Sequence, residues 1–197
     1  MPEGVLVLAG ATASGKTQLA IELAREFDAE IVGADSRQIY RGMPIGTALP
    51  SPAQLAAVPH HCVDFIEPHE RYSAARYAHD ALAAIHAIAL RGKRVIVAGG
   101  TGFYICALTG GVELAEQYDD VWRERLAREA RLHPPEFLHA WLSLRDPARA
   151  TQVHAHDTYR VLRALEVALA ETRARSESLD TLASTGVGWI TVFLDVR

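Results

Sequence analysis

Apolar residues along this chain follow two rhythms. Short unbroken runs predict buried parallel strands, and sets spaced by three and four predict amphipathic helices. The first run, "GVLVLA" at 4–9, predicts a strand that ends at a glycine loop. Leu19, Ala20, Leu23, Ala24 and Phe27 then recur at helical spacing, which predicts a helix over 16–27. "EIVGAD" at 30–35 predicts a second strand. Asp35 then lies at its carboxyl end, the ligand side of an open α/β sheet. Pro44, Pro50, Pro52 and Pro59 break up the next stretch, where Ser51 is the expected N-cap of a short helix with Pro52 at its first position. "HCVDFI" at 61–66 predicts a third strand. Residues 73–90 predict a helix with Tyr77, Leu82, Ile85 and Ile88 inward. "KRVIVAGG" at 93–100 predicts a fourth strand, followed by a helix starting in "TGFYICAL".

The pattern changes at residue 113. Residues 113–156 are rich in Arg and Glu, contain Trp122 and Trp141, and lack a strand-like run. They predict a charged helical insertion. "DTYRVLRALEVALAE" at 157–171 is again strongly amphipathic, and "GWITVFLDV" at 188–196 predicts a last strand. The expected fold class is therefore α/β: a P-loop NTPase-like parallel sheet flanked by helices. Its core would span 1–112 and 157–197, and the helical insertion 113–156.

Composition adds limits. Apolar residues make up 49% of the 197, enough for a large core. The net charge of −4 gives no general attraction to nucleic acid, so any RNA contact needs a local basic face. Cys62 and Cys106 show no C-x-x-C spacing and suit a reducing cytoplasm as small buried residues. The chain shows no uncharged segment of membrane-spanning length and no signal-peptide pattern. A cytoplasmic monomer without membrane contact is expected.

The glycine loop carries the chemistry. Gly10, Gly15, Lys16 and Thr17 fit G-x-x-x-x-G-K-[ST], between a predicted strand and a predicted helix. Backbone N–H groups of Ala13 to Lys16 would cradle phosphate oxygens at the helix N-terminus. Lys16 adds a full charge, and Thr17 can ligate Mg²⁺. A nucleotide hydrolase also needs an acid at the end of an apolar strand. "RVIVAGG" ends in Gly99, Gly100 and Thr101 instead, and Asp64 lies within its run. Asp35 is the well-placed acid, suited to take a proton from a nucleophile attacking at the loop. Asp35-Ser36 also fits a turn or helix cap. At this level a small-metabolite kinase with Asp35 as base remains open.

Further clusters follow the loop in order: "ADSRQIYRGMPIGTALP", "PHHCVDF" with "YSAARY", "GGTGFY" and "HDTYRVLRALEV". Together, over about Val5 to Leu169, they resemble the tRNA dimethylallyltransferases, which prenylate an adenosine beside the anticodon. The resemblance implies that Gly10, Ala11, Thr12, Ala13, Ser14, Gly15, Lys16 and Thr17 hold the diphosphate of dimethylallyl diphosphate, with Mg²⁺ at Thr17. It implies that Asp35 takes the proton from adenosine N6 as that nitrogen attacks the prenyl C1. Thr101 matches a threonine beside the diphosphate and the amine. Asp35, Ser36, Arg37 and Gln38 are implied to touch the flipped-out base. Tyr159, Arg160 and Arg163 match the tRNA-contacting helix, and Arg123 a tRNA contact in the insertion.

The physical logic agrees. Breaking the C–O bond to an allylic carbon leaves charge on the diphosphate, which ordered N–H donors, Lys16 and Mg²⁺ stabilise. The N6 lone pair is conjugated into the purine, so a carboxylate that removes its proton helps it attack. The family also carries a longer C-terminal part that closes the donor tunnel, whereas this sequence stops at Arg197. Without such a wall, water competes for the allylic carbon while the loop still binds donor. A non-catalytic RNA-binding fragment is the corresponding alternative.

Other features have plainer readings. Neighbouring histidines His60 and His61 point apart on a strand and are structural. His154 and His156 flank a helix start as capping or exposed groups. "WRERLAREARL" reads as a solvated helical face or as phosphate contacts. Trp122 and Trp141 are expected to pack, and Tyr40 and Tyr104 to be structural or to line a pocket.

Overall fold

The computed structural model describes residues 2, 4–112, 120–170 and 180–195. The expected insertion start at residue 113, the helix end at Glu171 and the strand end at Val196 lie outside the described residues. The contacts divide the chain into two compact units: Met1–Leu114 with Leu179–Arg197, and Ala115–Ser178.

The first unit is α/β. Its elements are β1 (Val5–Gly10), α1 (Lys16–Glu26), β2 (Ala29–Gly33), α2 (Pro52–Ala57), β3 (His60–His61), α3 (Ala74–Leu90), β4 (Arg94–Gly99), α4 (Gly102–Thr109) and β5 (Trp189–Leu194). The strands form one parallel sheet in the order β3-β2-β4-β1-β5. Val5 pairs with Val95 on one side and Trp189 on the other, and Ala29 with Arg94.

Alternation along the strands sends side chains to two faces. Val5, Val7, Val32, Val95 and Val97 face α3 and α4, where they bury Tyr77, Ile85, Ile88 and Leu108. Leu8, Ile31 and Ile96 face α1 and bury Ala20, Ile21 and Ala24. Each large side chain so buried contributes about 1.5–3 kcal/mol. Covering both faces is what makes uninterrupted apolar runs viable in a parallel sheet. β5 differs: Ile190 is 71% and Phe193 68% exposed, and among the described residues the strand pairs with β1 alone.

The helix ends follow local chemistry. Ser51 caps α2 in a full capping box with Gln54, and Pro52 stands at the first position. Ser73 caps α3 by accepting the Arg76 N–H at 3.1 Å. Tyr77, Ile85 and Ile88 point inward as expected, whereas Leu82 is half-buried.

The third predicted strand is shorter than expected. Only His60 and His61 pair with β2. Cys62 (φ 56°) and Asp64 (φ 52°) are left-handed, which breaks the extended run. Asp64 N–H donates to Gln38 O at 2.8 Å and Phe65 N–H to Ile39 O at 2.9 Å, so tertiary bonds hold that conformation. His61 Nε2 bonds the buried Glu30 carboxylate at 2.7 Å. Arg91 donates to both Glu30 oxygens, at 3.1 and 2.6 Å. Those Arg91 bonds above all hold the Glu30 carboxyl below its ordinary range, against the opposing effect of burial.

The second unit contains α5 (Asp120–Leu132), α6 (Pro135–Arg145), α7 (Pro147–Ala150) and α8 (Thr158–Ala170). It has its own core of Leu126, Leu138, Leu142, Ala150, Val161, Ala164, Leu165 and Leu169, with Trp122 and Trp141 packed against it. The apolar stripe of α8 packs on α5 and α6 within this unit.

Candidate functional site

Strand order brings the functional loops together. β4 lies between β2 and β1, so the segments after β1, β2 and β4 emerge side by side at the carboxyl ends. The loop after β1 leads into α1 through Gly15, whose φ of 83° puts it in the left-handed region that glycine adopts without strain. Ala13 is also left-handed, at φ 65°, which concentrates strain in this exposed turn. Lys16 Nζ donates to Ala11 O and, at 3.2 Å, to Ser14 Oγ. The ammonium is thereby held within the loop. Burial pushes its pKa below the ordinary lysine range, and the Asp35 carboxylate draws it partly back. The Asp35 charge therefore reaches the ammonium. Thr17, half-buried, sits in the first turn of α1.

The segment after β2 is joined to the segment after β4. Ala34 N–H donates to Ala98 O at 2.8 Å, and Thr101 N–H to Ala34 O at 3.0 Å. A Cβ at Gly99 would stand 2.1 Å from Ala34 O, so only glycine permits this approach. Ser36 N–H donates to Thr101 Oγ1 at 2.9 Å, and the Thr101 hydroxyl lies 3.2 Å from Ser36 Oγ as its donor. Asp35 Oδ1 accepts the Arg37 N–H at 2.9 Å, an Asx-type turn. Asp35 thus combines the turn reading with the ligand-side position. Arg37 is exposed. Gln38 is half-buried, and its Nε2 donates to Ala48 O at 2.9 Å, anchoring the loop before α2.

The helical unit carries the other predicted site residues. Arg163 Nη1 lies 3.0 Å and Arg123 Nε 3.7 Å from the buried Glu166 carboxylate. Arg160 pairs with Asp157 at 3.4 Å and keeps 73% of its side chain exposed. Tyr159 is 70% exposed. Arg160 and Tyr159 offer surface, whereas Arg123 and Arg163 also hold their own unit together.

His60 accompanies Val58 O at 2.7 Å, and His156 pairs with Glu136 at 3.2 Å. Among the described residues, no group of His, Cys, Asp and Glu has the make-up of a metal site. Tyr104 stacks on Tyr77 with ring centroids 4.3 Å apart. Burial first, then Asp80, pushes the Cys62 thiol up to about 12, so it is inert packing. Cys106 is exposed, against the expectation that both cysteines are buried.

Sequence reasoning missed three features: the Ser14 oxygen on Lys16, the Ser36–Thr101 contact and the role of Glu166. Glu166 had a local signal, since it lies three residues after Arg163 on a helix. The Ser36–Thr101 contact had none.

The comparisons agree with this geometry. The family model described as IPP transferase matches residues 38–194. A tRNA dimethylallyltransferase of Anaeromyxobacter sp. (strain Fw109-5) is 52% identical over 86% of this chain and 56% of its own length. One from Alkalilimnicola ehrlichii is 49% identical over 83% of this chain and 51% of its own. The chain thus spans about half the length of the curated relatives it matches. A eukaryotic dimethylallyltransferase acting on tRNA superposes with a TM-score of 0.74 at 26% identity, over 98% of this chain and 48% of that one. The tRNA isopentenylpyrophosphate transferase of Bacillus halodurans gives 0.56 at 34% identity, over 88% of this chain and 57% of its own. Among the described residues, no helix is long and apolar enough to cross a membrane. On the residues matched and the identities reached, the chain belongs to the IPP transferase family.

Proposed function

We propose that this chain transfers a dimethylallyl group from dimethylallyl diphosphate to N6 of the adenosine 3′-adjacent to the anticodon in tRNA, giving N6-(dimethylallyl)adenosine. One observation carries the reading. The glycine loop with Lys16 follows β1 and Asp35 follows β2, on either side of a β4 that ends in glycine rather than an acid, and both Gly10 O and Asp35 Oδ2 lie within 4 Å of where a Cβ at Gly100 would stand. That set suits a diphosphate leaving group and a proton acceptor better than nucleotide hydrolysis. The relatives' names supply the donor and acceptor.

In this reading the N–H groups of Ala13 to Lys16 and the Lys16 ammonium hold the diphosphate, with Gly10, Ala11, Thr12 and Thr17 completing the loop. The N6–C1 bond forms as C1–O breaks, and the diphosphate leaves with that electron pair. Asp35 takes the N6 proton. The Thr17 hydroxyl fits Mg²⁺ as a hard oxygen ligand, and the loop leaves the remaining positions to diphosphate and water oxygens. When bound, the ion neutralises charge on the diphosphate. Ser36, Arg37 and Gln38 stand beside Asp35 to meet the flipped base. Arg123, Tyr159, Arg160 and Arg163 contribute the RNA-facing side of the helical unit. A cytoplasmic monomer is the working form, in keeping with the free thiols of Cys62 and Cys106.

The test is incubation with radiolabelled dimethylallyl diphosphate, Mg²⁺ and an anticodon stem-loop. Label is expected on the RNA. Phosphate transfer from ATP without prenyl transfer would mean a kinase. RNA binding with neither transfer would mean a non-catalytic RNA-binding fragment.

A further inference from the structure

The geometry points to Thr101 as a positioning residue. With Ser36 it clamps the Asp35 peptide so that Oδ2, not Oδ1, is the oxygen that receives the proton. This rests on the transfer reading above and assigns it an atom.

A threonine hydroxyl has one proton and two lone pairs. At Thr101 the proton lies toward Ser36 Oγ at 3.2 Å, and one lone pair accepts the Ser36 N–H at 2.9 Å. Both hydrogen bonds recorded for this hydroxyl therefore go to Ser36. The same threonine donates its own N–H to Ala34 O, so it grips the chain on both sides of Asp35. Oδ1 of Asp35 is engaged by the Arg37 N–H at 2.9 Å. Oδ2 faces the loop side. A Cβ at Gly100 would lie 3.9 Å from Oδ2 and 3.3 Å from Gly10 O. Both Gly10 O and Asp35 Oδ2 thus lie close to the bare Gly100 backbone. A proton leaving N6 beside the loop meets Oδ2 first. Asp35, Ser36 and Thr101 are half-buried, so their bonds are shielded enough to hold this orientation.

The test compares Thr101→Val, Thr101→Ser, Asp35→Asn and the double variant Asp35→Asn with Thr101→Val. Prenyl transfer to a stem-loop and amide exchange by NMR are the readouts. Thr101→Val is expected to lower kcat about tenfold with the donor KM unchanged, the loss of one hydrogen bond. Thr101→Ser restores the rate. In the Asp35→Asn background the valine has no further effect, because Thr101 acts through that carboxylate. Ser36 and Arg37 amides exchange faster in Thr101→Val and are protected again in Thr101→Ser. An equal loss in both backgrounds would mean that Thr101 touches the reactants itself and would overturn the assignment. Unchanged exchange at Ser36 and Arg37 would overturn it too. Failure of the unsubstituted chain to transfer label would sink the transfer reading alone, and amide exchange would still decide the clamp.

Discussion

The charged groups at the carboxyl ends of β1, β2 and β4 and those of the helical unit are held in opposite ways. In the α/β unit, backbone and hydroxyl groups hold Lys16 and Asp35. In the helical unit, side chains hold side chains: Arg123 and Arg163 converge on Glu166, and Arg160 on Asp157. The first arrangement leaves its charge open at the carboxyl ends of the strands. The second neutralises much of its charge internally. A substitution in the first should change chemistry with the fold intact, and one at the buried Glu166 of the second should change stability first.

The strongest break in this contrast is Asp35→Ala. Transfer should slow by about 10²–10⁴-fold, the usual value of a general base, with donor affinity nearly intact. Single-turnover rates and donor titration check it, and equal loss of donor binding would contradict the base role. Lys16→Ala should weaken donor binding by about 10–100-fold, the loss of charge-assisted hydrogen bonds. A donor that bound as well without the lysine would refute its placement. In the helical unit, Glu166→Ala should lower stability by about 1–3 kcal/mol, because it leaves Arg123 and Arg163 without that carboxylate. Thermal denaturation reads this, and an unchanged midpoint would show the pairs to be idle.

In the α/β unit, Glu30 with Arg91 and His61 forms a comparable charge cluster that pH can probe. Glu30 is held below its ordinary range, so its stabilisation is present above the unfolded carboxyl pKa and is lost as pH falls through the lower folded value. Glu30→Gln should flatten the acid limb of the stability curve below about pH 4.5. An equally steep limb would place the acid sensitivity elsewhere. Arg160→Ala is the smallest expected effect. It should weaken RNA binding modestly and reduce the salt slope by about one, with the melting midpoint unmoved.

What was legible in the sequence divides along similar lines. "VLVLA" and "RVIVAG" could be read as central strands because burial on both faces demands unbroken apolar runs. "HCVDFI" has the same composition but breaks where Cys62 and Asp64 turn left-handed, held by bonds to the 38–39 segment that no local pattern announces. The stripe on α8 told that the helix packs, but not against which partner. The glycine loop was legible because its spacing itself marks a strand–turn–helix junction. The Ser36–Thr101 contact spans 65 positions and depends on β2 and β4 lying side by side, so strand order had to be known first.

The outer edge of β5 bears on how the chain behaves at concentration. Trp189 to Leu194 is a six-residue run without charge or proline, paired on one side only. Such an edge offers open backbone groups to any other strand, a template for association between molecules. Most natural edges blunt this with a lysine or proline, and this one has neither. A gatekeeper such as Thr191→Lys on that strand should raise the soluble concentration without touching the carboxyl-end loops.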